Sequence, residues 1–228
     1  MCGRTTLTER DVRTLAEALG VGAESLEGWE PRFNIAPTQE HFILRLRGED
    51  REVVRARWGI ATRWEGGSAT SRAFNARAET LDEKPSFQRA FERRRCLVPA
   101  DGFYEWEGGP GGRRPHWFHR PDGRLLLFAG LYEFEARRGA APECTFTIIT
   151  TRANETVARL HDRMPVILDE RDADEWMFEK TAATRAKELL QPTPDGWLAS
   201  RPVSKAVNNV LSEGPGLIER AEEQARLF

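Results

Sequence analysis

Lysine, cysteine and long apolar stretches are all scarce in this sequence. Lysine accounts for only four of the 34 basic residues, so arginine supplies nearly all of the positive charge. The sequence has no run of about 18 apolar residues, which argues against a membrane-spanning helix. The N-terminus also lacks the basic-then-apolar pattern of a secretory signal. We therefore expect a cytoplasmic protein that is not associated with a membrane.

The three cysteines, Cys2, Cys96 and Cys144, lie far apart in the chain. An odd number of cysteines without paired spacing argues against a disulfide framework. The sequence contains no C-x-x-C pair and no tight cluster of histidine and cysteine, which argues against a structural zinc site. We expect the protein to hold no metal ion and to use no cofactor.

The overall charge does not indicate a protein that is basic over its whole surface. The formal net charge is −2 and the pI is about 6.2, whereas nucleic-acid-binding domains are often strongly basic. Arginine forks match the geometry of phosphate groups, although a genomic bias in composition would produce the same excess of arginine. A nucleic acid would therefore have to bind in a local basic groove.

The length and the hydrophobic pattern predict one domain with a strongly β core. The chain has 228 residues, of which 39% are hydrophobic and 31% are charged, and this suffices for a buried core. The predicted strands cover residues 42–46, 53–58, 96–99, 102–106, 116–119, 124–134 and 145–151. The predicted helices cover about 9–19, 86–93, 152–160, 172–178 and 181–190. We expect a mostly β, α+β fold that spans residues 1–228 as a single domain.

Signals at the two ends of the chain refine this picture. Thr8 followed by Asp11 predicts a capping box, and Gly20 predicts the end of the first helix. The tail at about 213–228 is polar, and we expect it to pack on the surface or to be mobile.

Two segments without periodicity indicate loops. Residues 62–72 are polar and surround Trp64. The segment GGPGG at 108–112 is typical of a hairpin turn. It lacks the Lys-Ser/Thr ending of a phosphate-binding loop, so we do not interpret it as a nucleotide site.

The first four residues, MCGR, place a cysteine directly after the initiator methionine. Removal of Met1, which is expected before a small residue, would give Cys2 both a thiol and a free α-amine. An α-amine titrates at about 7.7–8.0 and lysine at about 10.4, so much more of the α-amine is neutral and nucleophilic at cytosolic pH. The amine can attack a carbonyl group, and the thiol, with an ordinary pKa of about 8.5, can close on the imine to form a durable thiazolidine ring. Cys2 also fits the simpler interpretation of a small second residue.

The segment FNARAET (74–80) alternates polar and small residues. As a strand it would project Asn75, Arg77 and Glu79 on one face. A solvated sheet face has the same pattern.

The segment VPADGFYEW (98–106) places Glu105 between two aromatic residues. Partial burial by such neighbours raises the pKa of a carboxyl group and suits it to general acid–base chemistry. An outward-facing glutamate on an ordinary strand fits the same sequence.

The segment LHDRMPVIL (160–168) places His161 between a predicted helix and an apolar run. A histidine at such a junction can transfer protons near neutral pH, and a structural histidine fits the position equally well. The remaining histidines, which we interpret as structural or surface residues, are His41, His116 and His119.

Taken in order, these segments resemble the SOS-response-associated peptidase (SRAP) family of abasic-site processing proteins. The matching segments are MCGR (1–4), PRFNIAPTQ (31–39), RWGI (57–60), FNARAET (74–80), RRCLVPADGFYEW (94–106), FAGLYE (128–133), FTIITTRAN (146–154), LHDRMPVIL (160–168) and VSKAVNN (203–209). They span nearly the whole chain. The resemblance implies a compact domain with a β-barrel-like core, peripheral helices and a groove for single-stranded DNA.

The resemblance also implies catalytic roles for individual residues. Cys2 matches the nucleophile that forms a thiazolidine with the ring-opened abasic deoxyribose, and Asn75 matches the residue that positions its terminus. Glu105 matches the acid–base residue that helps to open the sugar and to reverse the link. His161 matches the second proton-transfer residue. Abasic-site lyase activity and self-processing at Met1 are further activities that the family implies.

The expected partner is single-stranded DNA that contains abasic sites, bound at the nucleoid, with no obligate protein partner. An abasic site lacks a base, so binding must rest on phosphates and on stacking of the flanking bases. Arg77 resembles a phosphate contact, and Arg4 and Arg163 are further candidates. Trp64 is the candidate for base stacking, although a core tryptophan fits as well and the 62–72 loop is shorter than the family leads us to expect.

Two other functions start from the same residues. An N-terminal-nucleophile glutamine amidotransferase also begins Met-Cys-Gly and uses Cys2 with its own α-amine as the base. It would show glutaminase activity, and it usually carries a second, synthase domain. A non-covalent module for single-stranded or modified DNA would need Arg77 and a groove, but neither Cys2 nor Glu105.

Overall fold

The computed structural model describes residues 2–63, 70–108, 112–137 and 139–221. The strands are β1 (Thr5–Leu7), β2 (Arg32–Ile35), β3 (Glu40–Arg47), β4 (Asp50–Trp58), β5 (Ile60–Arg63), β6 (Thr70–Ala73), β7 (Asn75–Arg77), β8 (Arg95–Ala100), β9 (Gly102–Glu107), β10 (Arg114–His119), β11 (Leu126–Arg137), β12 (Ala140–Arg152), β13 (Arg163–Pro165), β14 (Ile167–Leu168) and β15 (Ala199–Pro202). The α-helices are α1 (Val12–Leu19), α2 (Pro85–Arg93), α3 (Glu155–Ala158), α4 (Glu170–Met177) and α5 (Ala183–Glu188). Short 3-10 turns cover Ala23–Leu26, Ala78–Thr80, Lys205–Asn208 and Pro215–Leu217.

Five strands close into a barrel. β3 pairs with β4 and β8, β8 pairs with β11, β11 pairs with β12, and β12 returns to β4. The β12–β4 pair is parallel and the others are antiparallel. Closure removes the free sheet edges, and apolar residues such as Phe128, Phe146 and Ile148 are completely buried. The expected barrel-like core is confirmed.

A five-stranded antiparallel sheet, in the order β15-β10-β9-β1-β2, packs beside the barrel. Alternation along β9 gives the two faces different neighbours, because Phe103 joins the main core and Tyr104 joins a second cluster. The second cluster also contains Trp117, Val207 and Leu217, so the C-terminal segment covers the outer face of this sheet. One main core joins the barrel to the inner face, and the expected mostly β domain with peripheral helices is confirmed.

The first helix is capped by Asp11 and not by Thr8. The Asp11 carboxylate accepts from the backbone N–H of Thr14 (2.8 Å), and Gly20 ends the helix in the left-handed conformation. The Thr8 hydroxyl instead donates to Asp101 (Oγ1–Oδ2 2.6 Å), in the turn between β8 and β9. The predicted capping box was therefore wrong, whereas the stop at Gly20 is confirmed.

Two further boundaries differ from the prediction because pairing partners distant in sequence set them. The supposed loop 62–72 includes the ends of a β5–β6 hairpin, in which Thr62 pairs with Ser71. The helix predicted over 152–160 is shorter, since β12 continues to Arg152 before α3 begins.

The C-terminal segment is packed more closely into the fold than the sequence indicates. Leu217 is buried, and Arg220 forms a bridge with Val203, so the predicted surface tail belongs to the fold as far as residue 220. β9 and β10 pair as a hairpin about the predicted turn at 108–112, of which residues 109–111 lie outside the described residues. In the described part of the chain, no helix is both long and apolar enough to cross a bilayer.

Candidate active site

The predicted catalytic residues come from four separate parts of the chain and meet where the five-stranded sheet adjoins the barrel. Cys2 precedes β1, and Glu105 lies on β9, the antiparallel neighbour of β1. Asn75 begins β7, in register with Ile148 of β12. His161 lies between α3 and β13. Only the tertiary fold brings these positions together.

Cys2 is held from both sides of this junction. The Asn75 side chain donates to the Cys2 carbonyl oxygen (Nδ2–O 2.9 Å). Burial raises the pKa of the fully buried thiol well above its ordinary range, the negative charge of Glu105 acts in the same direction, and the backbone N–H of Arg4 acts in the opposite direction. The protonated form of the thiol is therefore favoured at this position.

Glu105 is a buried carboxyl group, with 3% of its surface exposed. Alternation along β9 places it on the inner face with Phe103, while Tyr104 and Trp106 pack in the outer cluster. Burial raises the pKa of Glu105, and the positive charge of His161 acts in the opposite direction. The flanking aromatic residues singled out in the sequence are thus not what buries the carboxyl group. The packing of the sheet against the barrel does so.

A backbone contact sets the tautomer of His161. Its Nδ1 accepts a hydrogen bond from the backbone N–H of Arg163 (2.9 Å), so the proton of the neutral ring lies on Nε2. Asp162 Oδ1 is also 3.0 Å from Nδ1, but this carboxylate is 86% exposed and cannot accept a bond from a nitrogen that is itself an acceptor. In the neutral ring the Nε2–H group is therefore a hydrogen-bond donor.

Asn75 carries a second polar atom at the site. While Nδ2 donates to Cys2, the Oδ1 atom is buried and has no hydrogen-bond partner among the described residues. Buried carbonyl oxygens without a partner are rare. The Oδ1 atom therefore marks a position for a donor, such as an amine or a hydroxyl group.

Arg77 and Arg163 differ in whether the guanidinium group is already paired with a carboxylate. Arg77 is exposed at the end of β7, and no described residue forms a salt bridge with it. Arg163 forms a forked pair with Glu79 (Nη1–Oε1 2.6 Å, Nη2–Oε2 2.9 Å) and donates to the Thr150 carbonyl oxygen. Glu79 lies in a 3-10 turn and not on the strand, so it does not continue the predicted face with Asn75. A phosphate could bind Arg77 directly but would compete with Glu79 for Arg163.

Arg4 does not lie on the surface. It is 9% exposed, and its Nη1 donates to Asn34 Oδ1 (2.6 Å) and to the Val207 carbonyl oxygen (2.7 Å). The guanidinium group lies under the C-terminal segment, on the outer face of the sheet beside Trp106. This position does not fit the predicted phosphate contact, because residues distant in sequence cover the side chain.

Sequence reasoning missed two residues near the site and named one that the structure does not describe. Asn34 is fully buried, and the available signal was a polar residue inside the apolar strand RFNI. Arg113 precedes β10, and its positive charge acts on Glu105. Trp64 lies outside the described residues. Within the described ranges, no group of three or more histidine, cysteine or acidic residues could hold a metal ion.

Comparisons with known proteins give one consistent assignment. The family model described as SOS response associated peptidase (SRAP) matches residues 1–210. The chain is 37% identical over 223 residues to the abasic site processing protein YoqW of Bacillus subtilis, covering 96% of this chain and 99% of the relative. It is 30% identical over 258 residues to the abasic site processing protein HMCES of Gallus gallus, covering 94% of this chain and 76% of the relative.

Solved structures show the same fold. A protein from Bacteroides thetaiotaomicron superposes with a TM-score of 0.81 at 22% identity, covering 97% of this chain and all of that chain. A phage-related protein from Bordetella bronchiseptica superposes with a TM-score of 0.69 at 30% identity, covering 90% of this chain and 95% of that chain. The matched model spans nearly the whole chain and the relatives align over almost its full length. This protein therefore belongs to the SOS response associated peptidase family.

Proposed function

We propose that this protein processes abasic sites by linking Cys2 covalently to the exposed sugar in single-stranded DNA, which shields the lesion. The observation that carries the proposal is the convergence of Cys2, Asn75, Glu105 and His161 from four chain segments. The names of the related YoqW and HMCES proteins, which describe abasic site processing, support the same substrate. A DNA substrate places the protein in the cytoplasm, at the nucleoid when it is bound.

The reaction begins with the α-amine of Cys2 after Met1 has been removed. The neutral amine attacks the C1′ aldehyde of the ring-opened deoxyribose, and loss of water gives an imine. The Cys2 thiol then adds to the same carbon, and its proton is relayed through a base to the imine nitrogen, which becomes the N–H of the thiazolidine ring. One aldehyde and one N-terminal cysteine thus become one thiazolidine and one water. If the thiol is absent, the imine can promote strand cleavage by β-elimination, which is a lyase reaction.

Glu105 and His161 supply the proton transfers. Burial raises the pKa of Glu105, so that this carboxyl group can hold a proton closer to neutral pH than an exposed glutamate can. It can then donate to the sugar ring oxygen during opening and accept a proton as the thiol closes. His161 is the second group in the exchange, and it acts as an acid when its ring is protonated. Asn75 Oδ1 is the acceptor for the Cys2 amine or a sugar hydroxyl.

DNA binding rests on arginine at the rim of the site. Arg77 is exposed and has no salt bridge with a described residue, so it contacts a backbone phosphate without losing a protein partner. Arg163 becomes a phosphate ligand only if the phosphate replaces Glu79 as its partner. Trp64 stays a prediction for stacking on a flanking base.

The test is denaturing gel electrophoresis after the purified protein is mixed with a single-stranded oligonucleotide that carries one abasic site. Removal of Met1 is verified first by mass spectrometry, and an intact oligonucleotide serves as the control. We expect a slowly migrating, heat-stable band only with the abasic oligonucleotide. Its absence from protein with a verified free Cys2 would contradict the proposal. Non-covalent retention of the oligonucleotide on a native gel would then indicate a binding module, and hydrolysis of glutamine would indicate an amidotransferase.

A further inference from the structure

Arg4 and Asn34 form a buried polar pair on the outer face of the five-stranded sheet. Arg4 Nη1 donates to Asn34 Oδ1 at 2.6 Å, and Asn34 is completely buried. Among the described residues no carboxylate forms a salt bridge with Arg4. Within the described part of the chain its acceptors are the neutral Asn34 amide and the Val207 carbonyl oxygen. Burial of a cation with only neutral partners is unfavourable, so this arrangement calls for an explanation.

The pair holds the C-terminal segment 207–212 against the sheet. Arg4 bonds the Val207 carbonyl oxygen at 2.7 Å. Asn34 Nδ2 donates to the carbonyl oxygens of Asn209 (2.9 Å) and Ser212 (2.8 Å). Arg4, which directly precedes β1, and Asn34, on the neighbouring strand β2, therefore hold three carbonyl groups of segment 207–212.

The backbone of Arg4 connects this clamp to the nucleophile. Its carbonyl oxygen accepts from the backbone N–H of Tyr104 (3.0 Å), which sits next to Glu105. Its own N–H acts on the Cys2 thiol and partly offsets the rise in the thiol pKa that burial causes. Gly3, the residue between Cys2 and Arg4, adds backbone freedom. Once Met1 is gone, Cys2 has no preceding residue, so it is restrained by the residues that follow it, by the Asn75 contact and by packing in the main core.

We propose that Arg4 is a positioning residue for Cys2, and that Asn34 and segment 207–212 form the rigid support to which Arg4 is attached. The inference rests on the proposed function. Thiazolidine formation needs the nitrogen and the sulfur of one residue at the same sugar carbon in succession. Small displacements of a reacting group lower rates steeply, so a loosely held Cys2 would react slowly even when DNA is fully bound.

The experiment compares Arg4→Lys with Arg95→Lys, since Arg95 is another buried arginine whose bonds go to backbone carbonyl groups. Both Arg4 bonds come from Nη1, and the lysine side chain is one atom shorter, so its ammonium group keeps the charge but does not reach both oxygens from the same position. Crosslinking rates are measured at saturating abasic oligonucleotide, and binding of intact single-stranded DNA is measured against salt. For Arg4→Lys we expect a rate lower by about tenfold or more, with affinity and salt dependence unchanged. For Arg95→Lys we expect a lower melting temperature and a normal rate.

The Asn34→Asp variant distinguishes the contribution of the 207–212 segment from that of Arg4 itself. Aspartate still accepts from Arg4 but loses both donors to the turn, so we expect crosslinking at saturation to slow while DNA affinity stays the same. A normal rate for Asn34→Asp would show that the C-terminal segment contributes nothing to positioning.

Three results for Arg4→Lys would overturn the proposal. A wild-type rate at saturation would remove Arg4 from positioning. A weaker salt dependence of binding with an unchanged saturating rate would make it a phosphate contact. Loss of the fold by circular dichroism would make it a stability residue only. If wild-type protein forms no adduct, the proposed function fails as well, and this result is distinct from all three.

Discussion

Buried polar groups have different bonding partners in the barrel and in the five-stranded sheet. In the barrel, Arg95 donates to carbonyl oxygens at the ends of α2 and α4, including those of Phe91 and Trp176, and His41 contacts the Pro99 carbonyl oxygen at 2.8 Å. These bonds satisfy carbonyl groups that the fold would otherwise bury without partners. At the sheet, buried polar groups gather around Cys2 instead.

This difference indicates which buried polar residues stabilise the fold and which are available for a reaction. A buried polar group whose bonds all end on backbone contributes to the fold and is not available for a reaction. Where this sheet meets the barrel, Glu105 on β9 is buried beside Cys2, and Asn75 Oδ1 on β7, which pairs with the barrel strand β12, has no hydrogen-bond partner among the described residues. Changes at the sheet should therefore alter crosslinking with little loss of fold, and changes in the barrel should do the reverse.

The largest expected effect on crosslinking comes from Cys2→Ser. Serine keeps the α-amine but has no thiol, so an imine can form and the strand can be cleaved, while the stable ring cannot close. We expect complete loss of the heat-stable band, together with strand cleavage on the same gel. Cys144→Ser, which changes a cysteine on the barrel strand β12, should give a normal band. A persistent adduct in Cys2→Ser would contradict the thiazolidine assignment.

Glu105→Gln should have the next largest effect. Glutamine has a similar shape but cannot exchange a proton, so crosslinking and its reversal should both slow by about 100-fold. The rates are measured by time-resolved denaturing gels, with reversal followed by transfer of protein to a competing abasic oligonucleotide. Glu107→Gln, two residues along the same strand and half exposed, is the matched control and should react normally. Equal rates for both variants would remove Glu105 from the mechanism.

Arg77→Ala should have a moderate effect that depends on salt. Loss of one phosphate contact should weaken binding of single-stranded DNA and reduce the slope of log affinity against log salt by about 0.7. Fluorescence anisotropy at several salt concentrations measures both quantities. Arg47→Ala is the control. Arg47 is the last residue of β3, at the turn to β4, and so lies at the opposite end of this strand pair from Trp58. An unchanged slope for Arg77→Ala would exclude it as a phosphate ligand.

Arg95→Met should leave crosslinking unchanged and lower the stability. Methionine removes every donor to the buried carbonyl groups, and we expect a loss of about 3 kcal/mol in the free energy of unfolding. Urea unfolding followed by circular dichroism measures the loss, and crosslinking is assayed at a temperature at which the variant is folded. A slow but folded Arg95→Met would mean that the barrel also positions the site.

His41 should affect only the pH dependence of stability. Burial lowers the pKa of His41 to about 4, against about 6.5 in the unfolded chain. The unfolded state therefore binds the proton more readily, so this stability is present above pH 6.5 and is lost as the pH falls towards 4. The loss amounts to about 3 kcal/mol. Urea unfolding of wild type and His41→Gln across this range isolates the contribution, and parallel curves for the two proteins would contradict it.

Much of the site was predictable because its residue types carry their own chemistry. A cysteine at position 2, an asparagine in FNARAET, a glutamate in GFYEW and a histidine in LHDR are each capable of such chemistry, although local context left other interpretations open and the family resemblance assigned the predicted roles. Hydrophobic periodicity indicated a β-rich core, and the glycine at position 20 indicated the stop of α1, since both signals depend only on neighbouring residues.

The sequence by itself determined the fold class, most strands and the residues capable of the reaction. Only the tertiary structure decided which polar side chains are already bonded to residues distant in the sequence. Arg4 reaches the carbonyl group of Val207, 203 residues away, and Arg163 is paired with Glu79, 84 residues away. Such pairings depend on strand register and barrel closure, which no local pattern encodes. For this reason Arg4, predicted as a phosphate contact, lies buried against Asn34 and the Val207 carbonyl group.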